Sequence, residues 1–224
     1  SSVTGVQTCA LPISAGKDAA APKAGAAEAP AGGKKADFGA GLTAYKNKNW
    51  SESLKAFGDI ANGPYPKDQK DKAAGYAAAV KEVSEAVTSA SAPGVAAGKA
   101  AKDFAKAWSA DQRVDGSHAP WLAGKTGDAY LSIAKDAFAK KKYVEALEAA
   151  QEAQNFTEKP EAANLEKQCN QQGANLLAQA KAAMDKKSFG DAQDLARQAA
   201  KLFPAGDPRA AEAQAIAKKA HDSL

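Results

Sequence analysis

AMDKKSFGDA, residues 183–192, decides the fold, because it has the pattern of a corner between two helices. Its centre is polar and rich in lysine, as expected for an exposed turn. The aromatic Phe189 follows the turn and can close the corner. Ala192 is small and lets two neighbouring helices approach closely. This segment therefore predicts an αα-hairpin.

The same pattern occurs twice more, in AYKNKNWSES at residues 44–53 and in AFAKKKYVEA at residues 137–146. The aromatic residues Trp50, Tyr143 and Phe189 are separated by 93 and 46 residues. Because 93 is close to twice 46, the spacing predicts a repeating unit of about 46 residues and a fourth, degenerate copy that turns near residue 96. A helix-breaking Pro-Gly pair at residues 93–94 lies close to that position.

Small residues recur in both helices of these units. In the three units they are Ala180, Ala192 and Ala199; Ala134, Ala146 and Ala153; and Gly41 and Ser53, with Phe57 at the third position. A proline follows each unit, at Pro204, Pro160 and Pro64. The arrangement resembles the tetratricopeptide repeat family over most of residues 37–224, although the period is about 46 residues instead of about 34. The resemblance implies an all-α fold, an α-solenoid of antiparallel helical hairpins.

Composition agrees with an all-α fold. Alanine makes up roughly a quarter of the chain, whereas Leu, Ile, Val and Phe together make up only about 14%. A β-sandwich, a barrel or a doubly wound sheet is unfavourable, because each needs large side chains to fill its core. Alanine has the highest helix propensity and permits close helix packing, so a thin helix-on-helix architecture is expected.

The N-terminal residues differ from the rest of the chain. VTGVQTCALPI at residues 3–13 resembles the in-frame translation of a sequencing adapter, so we expect residues 1–14 to be a disordered assembly artefact that also contributes Cys9. Residues 15–35 contain Ala, Pro, Gly and Lys but no large apolar side chain, which predicts a disordered linker. The helical-repeat domain is then residues 36–224. The true N-terminus, with any signal peptide or lipid anchor, is expected upstream.

Several helices are predicted by apolar spacing and cap residues. We expect one from about Pro66 to Ser91, one that carries Val95 to Trp108, and one from Pro160 to Lys187. Asp207 and Pro208 should cap and begin the last helix. The buried face of the long helix is predicted to be Ala162, Leu165, Cys169, Gln172, Leu176, Ala180 and Ala183 or Met184. Glycines and prolines predict an irregular loop over residues 115–127, from which Trp121 and Leu122 pack back onto a hairpin.

The sequence has little of the chemistry of a catalytic or cofactor site. Residues 119–126, APWLAGKT, match a loose phosphate-binding loop, but a helix is predicted before them and Pro120 and Trp121 occupy the loop. His118 and His221 have no second metal ligand at helical spacing. With Cys9 set aside, Cys169 is a single thiol that is expected in the core. We therefore expect no catalytic, cofactor-binding or metal-binding residues and no enzyme activity.

Charge and hydropathy limit the classes of partner. The formal net charge is only +4, and the longest basic run is the three lysines at residues 140–142, so no nucleic-acid partner is expected. No run approaches the ~18 apolar residues that a membrane span needs, so we expect no membrane contact by the visible chain. The Ala/Pro/Lys linker favours a bacterial protein of the periplasm or cell envelope over a cytoplasmic one.

The resemblance to tetratricopeptide repeats also implies a function. Members of that family bind a peptide or protein on the face formed by the first helices of their hairpins. Carried over to this sequence, the partner-binding residues would be Leu42, Tyr45, Leu131, Lys135, Phe138, Leu177, Lys181 and Met184. We therefore expect a non-enzymatic interaction scaffold. The alternative is the C-terminal regulatory or sensory domain of a larger, truncated enzyme such as a membrane-linked kinase.

Overall fold

The structure is a computed structural model that describes residues 36–224, and all regular secondary structure within that range is α-helix. The expectations for residues 1–14 and 15–35 lie outside the described residues. The helices are α1 (Gly39–Lys46), α2 (Trp50–Asn62), α3 (Lys67–Ala90), α4 (Ala97–Asp111), α5 (Ala119–Ala139), α6 (Tyr143–Phe156), α7 (Pro160–Asp185), α8 (Phe189–Lys201) and α9 (Pro208–His221). The expected all-α class is therefore confirmed for this part of the chain.

Each helix packs against the next helix in sequence, from α1 through α9. Connections of three residues join α1 to α2, α5 to α6 and α7 to α8, which makes each of these pairs a helical hairpin. In addition, α5 contacts α7 and α7 contacts α9. The odd-numbered helices α5, α7 and α9 thus form a continuous surface of their own.

The three short connections have the same backbone conformation. Lys48, Lys141 and Lys187 each have a φ of 61°, in the left-handed region that L-residues rarely occupy. After α7, the Lys187 amide donates to the Met184 carbonyl at 3.0 Å, and the Ser188 amide donates to the Ala183 carbonyl at 2.9 Å. This pair of bonds is a Schellman motif, which ends a helix by satisfying its last carbonyl groups. The lysine-rich segments predicted to be turns are therefore helix C-caps.

Most predicted helix ends are confirmed to within two residues. The helix expected from Pro66 to Ser91 is α3, Lys67–Ala90, and the one expected from Pro160 to Lys187 is α7, Pro160–Asp185. The Asp207 carboxylate accepts a hydrogen bond from the Arg209 amide at 2.9 Å, as predicted for the cap of α9. The turn expected near residue 96 is the connection between α3 and α4, where Gly94 has a φ of 74°.

The prediction of an irregular loop over residues 115–127 is wrong for most of that range, because α5 begins at Ala119. Pro120 lies in the first helical turn, where its missing N–H group costs nothing. Gly127 lies within α5, and the end of α6 approaches it too closely for a larger residue: an added Cβ would lie 2.8 Å from Thr157 Cγ2 and 3.2 Å from the Ala153 carbonyl oxygen. Trp121 and Leu122 do pack onto the neighbouring α3 and α4.

The predicted buried face of α7 is correct at Ala162, Leu165, Cys169 and Ala180 and wrong at Gln172 and Leu176, and its expected last member, Ala183 or Met184, is half-buried. Gly173 and Leu177 are buried, whereas Gln172 and Leu176 are half-buried. An added Cβ on Gly173 would lie 2.9 Å from Leu202 Cβ, so the glycine permits close packing of α7 on the end of α8. The sequence pattern missed this position because glycine has no apolar side chain to reveal a contact face.

Small residues fill most of the core, in agreement with the composition. Buried clusters join Val83, Phe104 and Leu122 across α3 to α5, and Leu177, Phe203 and Ala213 across α7 to α9. Cys169 is fully buried, and this burial raises the pKa of its thiol to about 11. The thiol is therefore protonated and inaccessible at neutral pH, as a core residue should be.

Candidate functional site

The eight predicted partner-binding residues divide by exposure into three groups. Tyr45, Leu131 and Leu177 are buried, with exposed fractions of 0%, 7% and 4%, so they contribute to the core and present almost no surface. Leu42, Phe138 and Met184 are half-buried. Only Lys135 and Lys181 are exposed, and both lie on the surface formed by the odd-numbered helices.

The two exposed lysines make equivalent contacts in successive hairpins. Lys135 of α5 pairs with Glu161 of α7. Lys181 of α7 pairs with Glu212 of α9, with 2.7 Å between Nζ and Oε1. The hydrogen bond from Lys135 holds the pKa of the Glu161 carboxyl below its ordinary value. The charges of both lysines are therefore balanced within the protein, and they do not form a free basic patch.

A groove of about 470 Å³ lies between α5 and the start of α7. Leu131 and Pro160 line it together with Ser132, and the Lys135–Glu161 pair crosses it. A second pair joins Lys159 Nζ to Asp128 Oδ1 at 2.6 Å. The groove therefore has a small apolar surface bordered by two ion pairs and by Glu158, which lies beside them without an ion-pair partner among the described residues.

A buried polar cluster lies where α1 meets the junction of α4 and α5. The Tyr45 hydroxyl donates to Asp111 Oδ1 at 2.7 Å, and the His118 amide donates to the same oxygen at 3.3 Å. His118 Nε2 lies 2.8 Å from the Tyr45 carbonyl oxygen, which can only accept, so Nε2 is the donor of this hydrogen bond. The residues Tyr45, Asp111 and His118 are called the Tyr–Asp–His cluster below.

Aromatic rings enclose this cluster. The His118 ring lies 4.8 Å from that of Tyr45 and 5.2 Å from that of Trp50, between ring centroids. The Lys48 ammonium group lies 3.6 Å from the centre of the Trp121 ring, a cation–π contact. Burial, reinforced by the hydrogen bond from Tyr45 to Asp111, raises the pKa of the Tyr45 hydroxyl above its ordinary value.

The Tyr–Asp–His cluster has the residue types of an acid–base site but not the access. Tyr45 and Asp111 have no exposed surface and His118 is 4% exposed, so a substrate cannot reach their polar atoms. The cluster instead fixes the first hairpin to the start of α5. Sequence reasoning missed it, because its members are separated by up to 73 residues and no local pattern relates them.

The residues that match a phosphate-binding loop do not form a loop in this structure. Residues 119–126 lie inside α5, and the Thr126 hydroxyl donates to the Leu122 carbonyl at 2.8 Å. Backbone N–H groups in a helix interior bond within the helix and cannot wrap a phosphate.

In the part of the chain that the structure describes, there is no group of three His, Cys, Asp or Glu side chains placed to hold a metal ion. Nor does any helix within residues 36–224 have the length and apolar character to cross a membrane.

Comparisons with known protein families, with characterised proteins and with solved structures give no significant match to this chain.

Proposed function

We propose that this protein is a non-enzymatic scaffold that binds a peptide or protein segment on the surface formed by α5, α7 and α9. The observation that carries the proposal is the side-by-side packing of these odd-numbered helices, with a groove between α5 and α7. Stacked helical hairpins generally use such a surface to hold an elongated partner. Its exposed side chains are mainly polar, which is typical of a transient interface.

We further infer a tetratricopeptide-like solenoid with a unit of about 46 residues. The left-handed lysines at positions 48, 141 and 187 support this interpretation, because their spacing repeats that of the aromatic residues. Gly127 and Gly173 also lie 46 residues apart. Gly127 permits close approach of the end of α6, and Gly173 permits close approach of Leu202 and Phe203, which follow α8. The lysines of two equivalent ion pairs have the same spacing: Lys135 of α5 pairs with α7, and Lys181 of α7, 46 residues later, pairs with α9.

Site-specific photo-crosslinking tests the proposed surface. A photoreactive residue is placed at Ser132, in the α5–α7 groove, and in a matched variant at Glu152 on the exposed face of α6. We expect a discrete, saturable crosslink to a protein or peptide from the groove position and none from the α6 position. Equal crosslinking from both positions would contradict the proposal.

An activity screen tests whether this chain is itself an enzyme. Lys125 is exposed within α5 and is the residue that a phosphate-binding site would need most. If nucleotide hydrolysis or transfer were lost on changing Lys125→Ala while the helical circular dichroism stayed unchanged, the chain would be an enzyme and the scaffold proposal would be wrong.

A further inference from the structure

The end of α2 carries an asparagine–glycine pair, Asn62 and Gly63. Asn62 is the last residue of α2 and is exposed, and Gly63 follows it with an extended backbone, φ −82° and ψ −178°. None of the other six asparagines of the chain precedes a glycine. Glycine has no side chain to shield its backbone nitrogen from the amide carbon of the preceding asparagine. In this chain, therefore, Asn62 is the asparagine most open to attack by the backbone nitrogen that follows it.

The packing at the end of α2 requires this glycine. A Cβ added to Gly63 would lie 2.6 Å from the Asp59 carbonyl oxygen and 2.8 Å from Cε2 of the Tyr65 ring. The carbonyl oxygen belongs to the backbone of α2 and cannot move away without distorting the helix, so even alanine does not fit at this position. The close contact that shapes the connection between α2 and α3 thus also keeps a glycine next to Asn62.

Two hydrogen bonds hold the pair in the last turn of α2, and neither is buried deep in the core. The Gly63 amide donates to the Ile60 carbonyl at 3.3 Å, which is long for a bond of this type. Asn62 Nδ2 donates to the Gly58 carbonyl at 2.9 Å on the exposed side of the helix. Because the ends of helices fray, this turn opens without unfolding the rest of the chain. Each opening frees the Gly63 nitrogen and the Asn62 side chain together.

We propose that Asn62 is a site of spontaneous deamidation in the folded protein, with water as the only co-reactant. The Gly63 amide nitrogen loses its proton to solvent and forms a bond to Asn62 Cγ. The bond from Cγ to Nδ2 breaks, and the side-chain nitrogen takes a proton from water and leaves as ammonia. Water then opens the resulting succinimide ring at either carbonyl carbon, which gives an aspartyl or an isoaspartyl residue. One amide and one water become one carboxylic acid and one ammonia, and nothing is oxidised or reduced.

The product weakens the end of α2 for three reasons. A carboxylate cannot donate, so the bond from position 62 to the Gly58 carbonyl is lost. Its negative charge lies at the C-terminal end of the helix and one turn from Asp59, where both the helix dipole and the like charge disfavour it. In the isoaspartyl form the main chain also gains a carbon just before the tightly packed Gly63. The modification therefore loosens the connection of α2 to α3, and it does so independently of the proposed function.

Peptide mass spectrometry of the full chain, incubated folded at neutral pH in heavy-oxygen water, tests the site. Oxygen from the labelled water marks the conversions that precede digestion. Asn155 is the matched internal control, because it is exposed near the end of α6 but precedes the bulky Phe156. We expect Asn62 to convert at least about tenfold faster than Asn155, because only glycine leaves the attacking nitrogen unshielded. The variant Asn62→Gln, which would have to close a larger ring, should lose the product.

Two results would overturn the inference. Equal conversion of Asn62 and Asn155 would show that the asparagine–glycine pair has no special reactivity here. Conversion of Asn62 only after the chain is unfolded in urea would show that the last turn of α2 does not open in the folded protein. Hydrogen exchange of the purified modified protein measures the consequence: protection in the last turn of α2 should fall at least about threefold and stay unchanged in α6. Equal protection in the modified and unmodified proteins would overturn the inferred loosening.

Discussion

At the scale of single residues, Tyr45 is held in the core by hydrogen bonds at both its side chain and its backbone. Its hydroxyl group is fully buried and bonds to Asp111, while its backbone carbonyl accepts from His118. The second carboxylate oxygen of Asp111, Oδ2, is buried without a hydrogen-bond partner. The carboxylate therefore depends strongly on the two donors at Oδ1, because a buried charge without such donors is costly.

The variant Tyr45→Phe should lower the free energy of unfolding by about 1–3 kcal/mol at neutral pH, since it leaves Asp111 with one donor. The effect should depend on pH. Because the pKa of Tyr45 is raised in the folded state, its contribution is fully present below the unfolded pKa of about 10 and is lost as the pH rises above that value. Urea unfolding of both proteins between about pH 7 and 11 should show the difference shrinking above pH 10. A difference that stays constant with pH would contradict this assignment.

The left-handed lysines offer a second residue-scale test. Lys187 has a φ of 61°, where glycine is favoured by about 1 kcal/mol after its greater freedom in the unfolded chain is included. We expect Lys187→Gly to raise the free energy of unfolding by up to about 1 kcal/mol. The neighbouring Lys186 has a φ of −84°, so Lys186→Gly should lower it. Thermal denaturation of both variants checks the prediction, and equal shifts in Tm would refute it.

At the scale of helices, close approach depends on glycines that face a neighbouring element. Gly127 of α5 meets the end of α6, and Gly173 of α7 meets Leu202 and Phe203 just after α8. Other helical glycines, such as Gly124, have no atom within 4 Å of where a Cβ would be. The same residue type is thus required at one position of α5 and dispensable at another.

This contrast predicts opposite effects of one substitution within α5. Gly127→Ala should lower the free energy of unfolding by about 1–3 kcal/mol, because the new methyl group meets Thr157 Cγ2 at 2.8 Å and the Ala153 carbonyl. Gly124→Ala should raise it by about 0.5–1 kcal/mol through helix propensity. Chemical denaturation of the pair is the measurement. Stabilisation by both changes would show that α5 and α6 are not in close contact there.

At the scale of the whole molecule, nearly all packing joins helices that are neighbours in sequence or one helix apart. Stability in such an array is approximately a sum of local and nearest-neighbour terms, so different parts can open separately. The helix at the C-terminal end of the described array, α9, is covered by α8 and, in part, by α7. The central helices α4 to α6 are covered on both sides.

Native-state hydrogen exchange should therefore show a gradient. We expect amides of α9 to exchange through openings of lower free energy than amides of α5 and α6, which lie between two neighbours. The first hairpin should be more protected than an end position implies, because the Tyr–Asp–His cluster fixes it to α5. In the Tyr45→Phe variant, protection should fall in α1 and α2 but not in α8. One common free energy for all helices would mean that the protein unfolds as a single unit.

Sequence reasoning predicted much of the fold and little of the site. The hairpin corners near Trp50, Tyr143 and Phe189 and the cap at Asp207 were correctly placed. Of the residues expected to contact a partner, Tyr45, Leu131 and Leu177 are buried. An apolar residue on an odd-numbered helix can face either the surface that we propose binds a partner or the next hairpin, and helical periodicity alone does not distinguish the two.

The sequence by itself determined the all-α class, the corners of the hairpins and the cap of the last helix. These features depend on helix propensity, caps and turns, interactions that reach only four or five residues along the chain. Only the tertiary structure decided that residues 119–127 are helical, that α7 buries Gly173 and Leu177, and that Tyr45, Asp111 and His118 meet. Those outcomes depend on contacts between segments up to 73 residues apart, whose energies no local pattern records.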